Sequence, residues 1–218
     1  APVTINRYIN VMKKLQKAIP DFYGKEDITF HELNSDFIAT FDLFLKTEAG
    51  LCRNTIVRYM KCFKRITNMA LAKEWMRKDP FYGYKMAQDE TDPVFLTYPE
   101  LKSIMEKEFT IPRLALVRDI FVFAAFTGLA FANVSTLTKD NLVQDNNGDW
   151  WIRKGRVKLE RRHRASSVCN IPLLPVPLAI LKKYEEHPIC RKKSLCLPVI
   201  CNQRMNSYLK EIADLCNI

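Results

Sequence analysis

Between Asn54 and Met76 the chain runs for 23 residues without a glycine or a proline, and its side chains sort onto two opposed sides of a helix. At about 100° per residue, Asn54, Arg58, Lys61 and Arg65 fall within about 60° of one another. Ile56, Tyr59, Met60, Phe63, Ile66 and Ala70 fall on the other side. The spacing predicts a long helix with an apolar ridge turned to a core and a polar, cationic stripe outside it. From Leu51 to Arg65 there are five basic residues, Arg53, Arg58, Lys61, Lys64 and Arg65, and no acidic one. A plain solvated face usually mixes signs to gain i,i+4 pairs. A one-sign stripe suits a polyanion instead, and a helix fits the major groove of duplex DNA.

The sequence before that helix is also helical. Thr4 opens a segment in which Ile5, Tyr8, Ile9, Met12, Leu15 and Ile19 keep helical spacing, with its end expected at Pro20. Ser35 opens another, carrying Phe37, Ile38, Phe41, Phe44 and Leu45 and closing near Gly50. Ile28-Thr29-Phe30 between them is expected to be extended or loop. Asp79-Pro80, Gly83 and the polar run from Gln88 to Pro93 then break the pattern as an exposed linker would. This gives a helical domain over residues 1–90 and a second domain over 91–218.

The second domain begins with a capping box, Thr97 with Glu100 three residues on and Pro99 inside the first turn. Helices are expected at about 98–107, 112–126 and 131–137. The pattern then switches to strands at Leu142 to Gln144 and Trp150 to Ile152, around the turn Asn146-Asn147-Gly148-Asp149. A third strand is expected over Val168 to Ile171, and helices return at about 176–186 and 203–216. The fold class is mainly α with a small three-stranded sheet.

The net charge of +10 points to an acidic partner. A second basic concentration holds Arg153, Lys154, Arg156, Lys158, Arg161, Arg162 and Arg164, offset only by Glu160. It lies on and beyond a hairpin strand, a rigid element that can carry cations to phosphate. The sequence shows no secretory signal and no apolar run long enough to span a bilayer, so a cytoplasmic protein without a membrane partner is expected. The seven cysteines include no C-x-x-C pair. Cys190, Cys196 and Cys201 with His187 can be drawn as a zinc site, but reduced, buried thiols account for them better, and no metal or cofactor is expected.

Taken in order, these stretches resemble the tyrosine-recombinase (phage integrase) family. Thr127-Gly128-Leu129 followed by Val134-Ser135-Thr136-Leu137-Thr138 is similar to the family's box I. Asp149-Trp150-Trp151-Ile152, Arg156-Val157-Lys158 and Asn170-Ile171-Pro172-Leu173-Leu174 are similar to its β2–β3 hairpin. Asn54 to Tyr59 and Asp79-Pro80-Phe81 are similar to the helix and exit of its core-binding domain.

The resemblance implies a helical, SAM-like core-binding domain joined to the N-terminal part of a mixed α+β catalytic domain, the two clamping duplex DNA. It implies DNA strand exchange through a 3′-phosphotyrosyl intermediate, with cations stabilising the phosphate and no metal. DNA contacts are then expected from Arg53, Asn54, Arg58, Lys61, Lys64, Arg65, Arg153, Lys154 and Arg156. Lys158 matches the hairpin lysine that serves the family as general acid, with Lys154 as runner-up.

Other parts of the family pattern have no match. Ala130 stands where box I has its arginine and Asn133 where it has an acidic residue. His31, His163 and His187 have Asn34, Ser166 and Cys190 three residues on, so no His-x-x-Arg occurs. Tyr184 and Tyr208 precede the place of that box and are expected to be packing residues rather than nucleophiles. The 218 residues are thus expected to stop before the nucleophile, and to bind DNA without cutting it. The intact parent is expected to oligomerise on DNA, while the chain itself is compatible with a monomer. The alternatives are a non-catalytic DNA-binding protein derived from a recombinase, and a helical protein–protein adaptor with a basic surface.

Overall fold

The computed structural model describes residues 2–155 and 168–218. The chain divides into two compact units, Ala1–Pro93 and Val94–Ile218.

The first unit is built on α1 (Pro2–Tyr23), α2 (Ser35–Thr47) and α3 (Arg53–Ala72). Asn34 caps α2 by accepting the Phe37 N–H at 2.9 Å, which satisfies one of the donors that a helix start leaves free. From α2, Phe37, Ile38, Phe41, Phe44 and Leu45 turn inward, meeting Ile56, Met60 and Phe63 of α3 and Val11, Ala18 and Ile19 of α1. Phe63 lies edge-on to Phe41 at 5.7 Å and to Phe81 at 5.6 Å. Phe81 thus closes the core from beyond the last helix. Its backbone N–H is held at 2.9 Å by the Asp79 carboxylate, so Asp79-Pro80-Phe81 is a fixed turn rather than loose linker.

Two helix ends depart from the sequence expectation. α1 runs through Pro20 to Tyr23, because a proline forfeits one hydrogen bond while Ala18 and Ile19 just before it are buried. Gly24, at φ 62°, ends the helix instead, with its N–H bonded to the Pro20 carbonyl. α3 stops at Ala72, before Met76, where Glu74 turns left-handed at φ 59° and the Trp75 N–H closes onto the Ala70 carbonyl.

The second unit contains α4 (Tyr98–Glu106), α5 (Pro112–Thr127), α6 (Phe131–Val134) and a 3₁₀ turn (Lys139–Asn141). The strands β1 (Leu142–Gln144), β2 (Trp150–Gly155) and β3 (Val168–Pro172) follow, then α7 (Pro175–Tyr184), α8 (Pro188–Lys193) and α9 (Asn202–Leu215). The strands form one antiparallel sheet in the order β1-β2-β3, with Leu142 opposite Ile152 and Ile152 opposite Ile171. That register sends Ile152 into the core and leaves Arg153 outside. α5 is apolar nearly all round, and buries Leu114, Val117, Ile120, Val122 and Phe123. Each such burial contributes about 1.5–3 kcal/mol.

The Thr97–Glu100 box forms, with the Glu100 carboxylate accepting the Thr97 N–H at 2.6 Å and its hydroxyl at 2.7 Å. These bonds, the backbone one first, hold the Glu100 carboxyl below the usual carboxylate range. No helix among the described residues is long and apolar enough to cross a membrane.

One charged cluster sits inside the second unit. Asp119 of α5 is 6% exposed. It accepts bonds from Arg118 Nε at 2.6 Å, Lys183 Nζ at 2.7 Å and the Tyr184 hydroxyl at 2.9 Å. Arg118 also donates to the carbonyls of Met105 and Lys107 at 3.0 and 2.7 Å. The cluster thereby ties the end of α4, the middle of α5 and the end of α7.

Candidate nucleic-acid interface

The apolar ridge of α3 is buried through Ile56, Val57, Met60, Phe63, Thr67 and Ala70. Arg58, Lys61, Arg65, Asn68 and Ala72 are exposed along the other side, at the i, i+3 and i+4 steps that make one continuous stripe. Lys61 donates to the Gln88 side chain at 3.1 Å, a single exposed bond. Arg58 and Arg65 form no hydrogen bond or ion pair with another described residue. Arg7 of α1, a residue the sequence pattern did not single out, is exposed and, like Arg65, stands close enough to Cys62 to act on it. Both cations act electrostatically on Cys62, whose thiol is pushed up by burial and drawn back by Arg65 and Arg7.

The other polar groups of α3 are engaged within the protein. Arg53 pairs with Asp42 at 3.1 Å and donates to the carbonyls of Lys85 at 3.1 Å and Ala87 at 3.2 Å. Asn54 holds the backbone of Asp89 from both sides, donating to its carbonyl at 3.0 Å and accepting its N–H at 2.9 Å. Tyr84 donates its hydroxyl to Asp42, and burial, followed by that bond, pushes its pKa up to about 12. Lys64 stands 3.9 Å from Asp79 and 5.6 Å over the Phe81 ring. The linker is exposed from Ala87 onward, as expected, but its backbone is pinned along one edge of α3 as far as Asp89.

In the second unit the hairpin turn is locked by Asp145, which accepts Trp151 Nε1 at 3.0 Å and the N–H groups of Asn147 and Asp149 at 2.9 Å. These bonds, Trp151 first, depress the Asp145 carboxyl. On β2, Lys154 donates to the Thr136 carbonyl at 2.6 Å and to Asn141 Oδ1 at 3.0 Å. Its ammonium thus secures the base of the hairpin to the loop that follows α6. Arg153 is exposed on the opposite strand face. Arg156 and Lys158 lie outside the described residues, as do Arg161, Arg162 and Arg164.

Ala130 is exposed at the start of α6, just after Gly128 at φ 64°. Its methyl group offers a phosphate no hydrogen bond. Tyr184 is buried against Asp119, and burial followed by that bond raises its pKa well above the tyrosine range. Tyr208 lies under Arg113, 4.6 Å from ring centre to guanidinium, and Arg113 makes a two-pronged pair with Glu211 at 2.7 and 3.1 Å. Both tyrosines are packing groups in this arrangement. His187 caps α8 by accepting the Ile189 N–H at 3.3 Å. Among the described residues no cluster of three or more His, Cys, Asp or Glu is placed to hold a metal.

Residues 1–86 match the phage integrase SAM-like domain. Solved structures extend the likeness over the whole chain. A lambda integrase dimer bound to a COC′ core site superimposes with a TM-score of 0.71 at 14% identity, over 100% of this chain and 73% of that one. The chain shares the fold of that structure across both of its units. The same fold is met in the XerH site-specific recombinase bound to difH, with a TM-score of 0.65 at 16% identity over 99% of this chain and 64% of that one. The Tn1549 transposon integrase, in complex with a circular intermediate DNA, matches at 0.58 and 19% identity over 84% and 60%. No curated protein sequence matches the chain. The chain thus spans between about three fifths and three quarters of the recombinases it resembles.

Proposed function

We propose that this chain binds duplex DNA as part of a site-specific recombinase, with α3 of the first unit lying against the phosphate backbone. The observation that carries this reading is the exposed stripe of Arg58, Lys61 and Arg65 on a helix with no acidic residue. Its three long cationic side chains spend at most one exposed hydrogen bond on the protein. Arg7 on α1 adds a cation that acts on the same Cys62 as Arg65, and Arg153 on β2, with Arg156 three residues on in the sequence, supplies a second set. Lys64, Arg53, Asn54 and Lys154 support these elements from within. With the ammonium of Lys154 bonded at the base of the hairpin, Lys158 is the lysine we assign as general acid in strand cleavage by the intact protein. Oligomerisation on DNA belongs to that intact protein.

The 218 residues themselves bind DNA without cutting it. Ala130 supplies no donor, no His-x-x-Arg is present, and neither Tyr184 nor Tyr208 is free to attack. A lone lysine stabilises charge but opens no covalent route. The chain incubated with a nicked duplex that traps phosphotyrosyl intermediates gives a mobility shift that detergent abolishes. A shifted band that survives detergent and disappears with protease would overturn this, and mapping it to Tyr184 or Tyr208 would relocate the active site.

A further inference from the structure

We infer that Arg53 and Asn54 form a latch that fixes the start of the connector between the two units onto the edge of the DNA-facing helix. The inference rests on the DNA reading above only for the meaning of the latch, and not for its existence.

Five hydrogen bonds converge on a short stretch of chain. Arg53 donates to the carbonyls of Lys85 and Ala87, Asn54 holds both backbone groups of Asp89, and Lys61 reaches Gln88. The Arg53 guanidinium is oriented by Asp42, which also receives the Tyr84 hydroxyl. Every one of these bonds to residues 85, 87 and 89 is made to backbone, so the latch reads the path of the connector rather than its side chains. Without it, only a half-buried Met86 and the exposed Lys61–Gln88 bond among the described contacts would hold Lys85-Met86-Ala87-Gln88-Asp89 to α3.

The latch sets a length. With Asp89 held and α4 beginning at Tyr98 behind the Thr97 cap, the free connector is residues 90–96, which can span at most about 24 Å. Released back to Tyr84, it becomes residues 85–96 and can span about 40 Å. A shorter tether keeps the second unit at a higher effective concentration beside whatever the first has bound. Arg53 and Asn54 thus act on DNA binding through the connector and not by touching DNA. They are positioning residues, and Arg58, one turn further along the same helix, is not.

Trypsin cleavage after Lys85 reads the latch directly, because the bond is cut only when the segment leaves the helix. The full 218-residue chain is compared with Asn54→Ala, Arg53→Met and Asp89→Pro; the last removes the donated N–H while leaving α3 untouched. Cleavage should rise about tenfold in the first two, and less in the third. In fluorescence titrations with a duplex, Arg53→Met should keep the wild-type slope of log K against log salt, whereas Arg58→Ala should flatten it by about 0.9. Unchanged cleavage in all three variants overturns the latch. So does a slope in Arg53→Met that falls as it does in Arg58→Ala, since Arg53 would then be on phosphate. A wild-type chain with no salt-dependent binding sinks the DNA reading instead, and the cleavage rates still decide the latch.

Discussion

Replacing Arg58, Lys61 and Arg65 together with alanine should cost roughly a hundredfold or more in duplex affinity at about 0.1 M salt, and flatten the salt slope by about 2.7. The three side chains are exposed on a helix whose opposite face builds the core. Their loss removes one exposed bond, Lys61 to Gln88, and exposed substitutions of this kind stay within about 0.5 kcal/mol. Alanine is also the best helix former. Circular dichroism and the unfolding midpoint should therefore match wild type while binding collapses. A triple variant that binds within twofold of wild type would remove α3 from the interface. One that unfolds would mean the stripe is structural.

Asp119→Ala should destabilise the second unit by about 3–5 kcal/mol, because it leaves two cations and a buried hydroxyl without their shared acceptor. Arg118 and Lys183 lose their counter-charge and the Tyr184 hydroxyl is stranded in the core. The bonds from Arg118 to Met105 and Lys107 then hold a guanidinium with no carboxylate beside it. The effect should be confined to one unit. The chain's three tryptophans make this measurable: Trp75 lies in the first unit, Trp150 and Trp151 in the second. In a Trp75→Phe background, urea unfolding followed by fluorescence reports the second unit alone. Asp119→Asn, which keeps a carbonyl acceptor but loses the charge, should fall between. A midpoint for Asp119→Ala equal to wild type would show that the cluster contributes nothing to holding α4, α5 and α7 together.

Both faces of α3 were legible in the sequence because burial and periodicity are local properties, repeated over many turns. The three strands and the Asp145–Asp149 turn were legible for the same reason, since Asn147-Gly148 announces the reversal and the apolar alternation sets the face. The end of α1 was not. Proline reads as a stop, yet here the packing of Ala18 and Ile19 carries the helix one turn past it. The fates of Arg53 and Asn54 were hidden for a different reason: their partners lie more than 30 residues away, in a stretch whose composition is that of an exposed linker. Lys154 was hidden likewise, because its acceptors belong to a turn 13 to 18 residues upstream. Asp119 did leave a signal. It is the only acid in the apolar run of α5, and a carboxylate at such a position needs partners to be buried at all.

Cations meeting phosphate are the proposed basis of DNA binding, and the salt dependence of the wild-type chain tests this most directly. Binding of the 218-residue chain to a labelled duplex is measured by fluorescence anisotropy at salt concentrations from about 50 to 200 mM, the range over which counterion release changes affinity most visibly. With about five to eight cations on phosphate, drawn from α3, α1 and the hairpin, log K should fall against log salt with a slope of roughly −4 to −7. A slope near zero, or no binding at the lowest salt, would contradict the account.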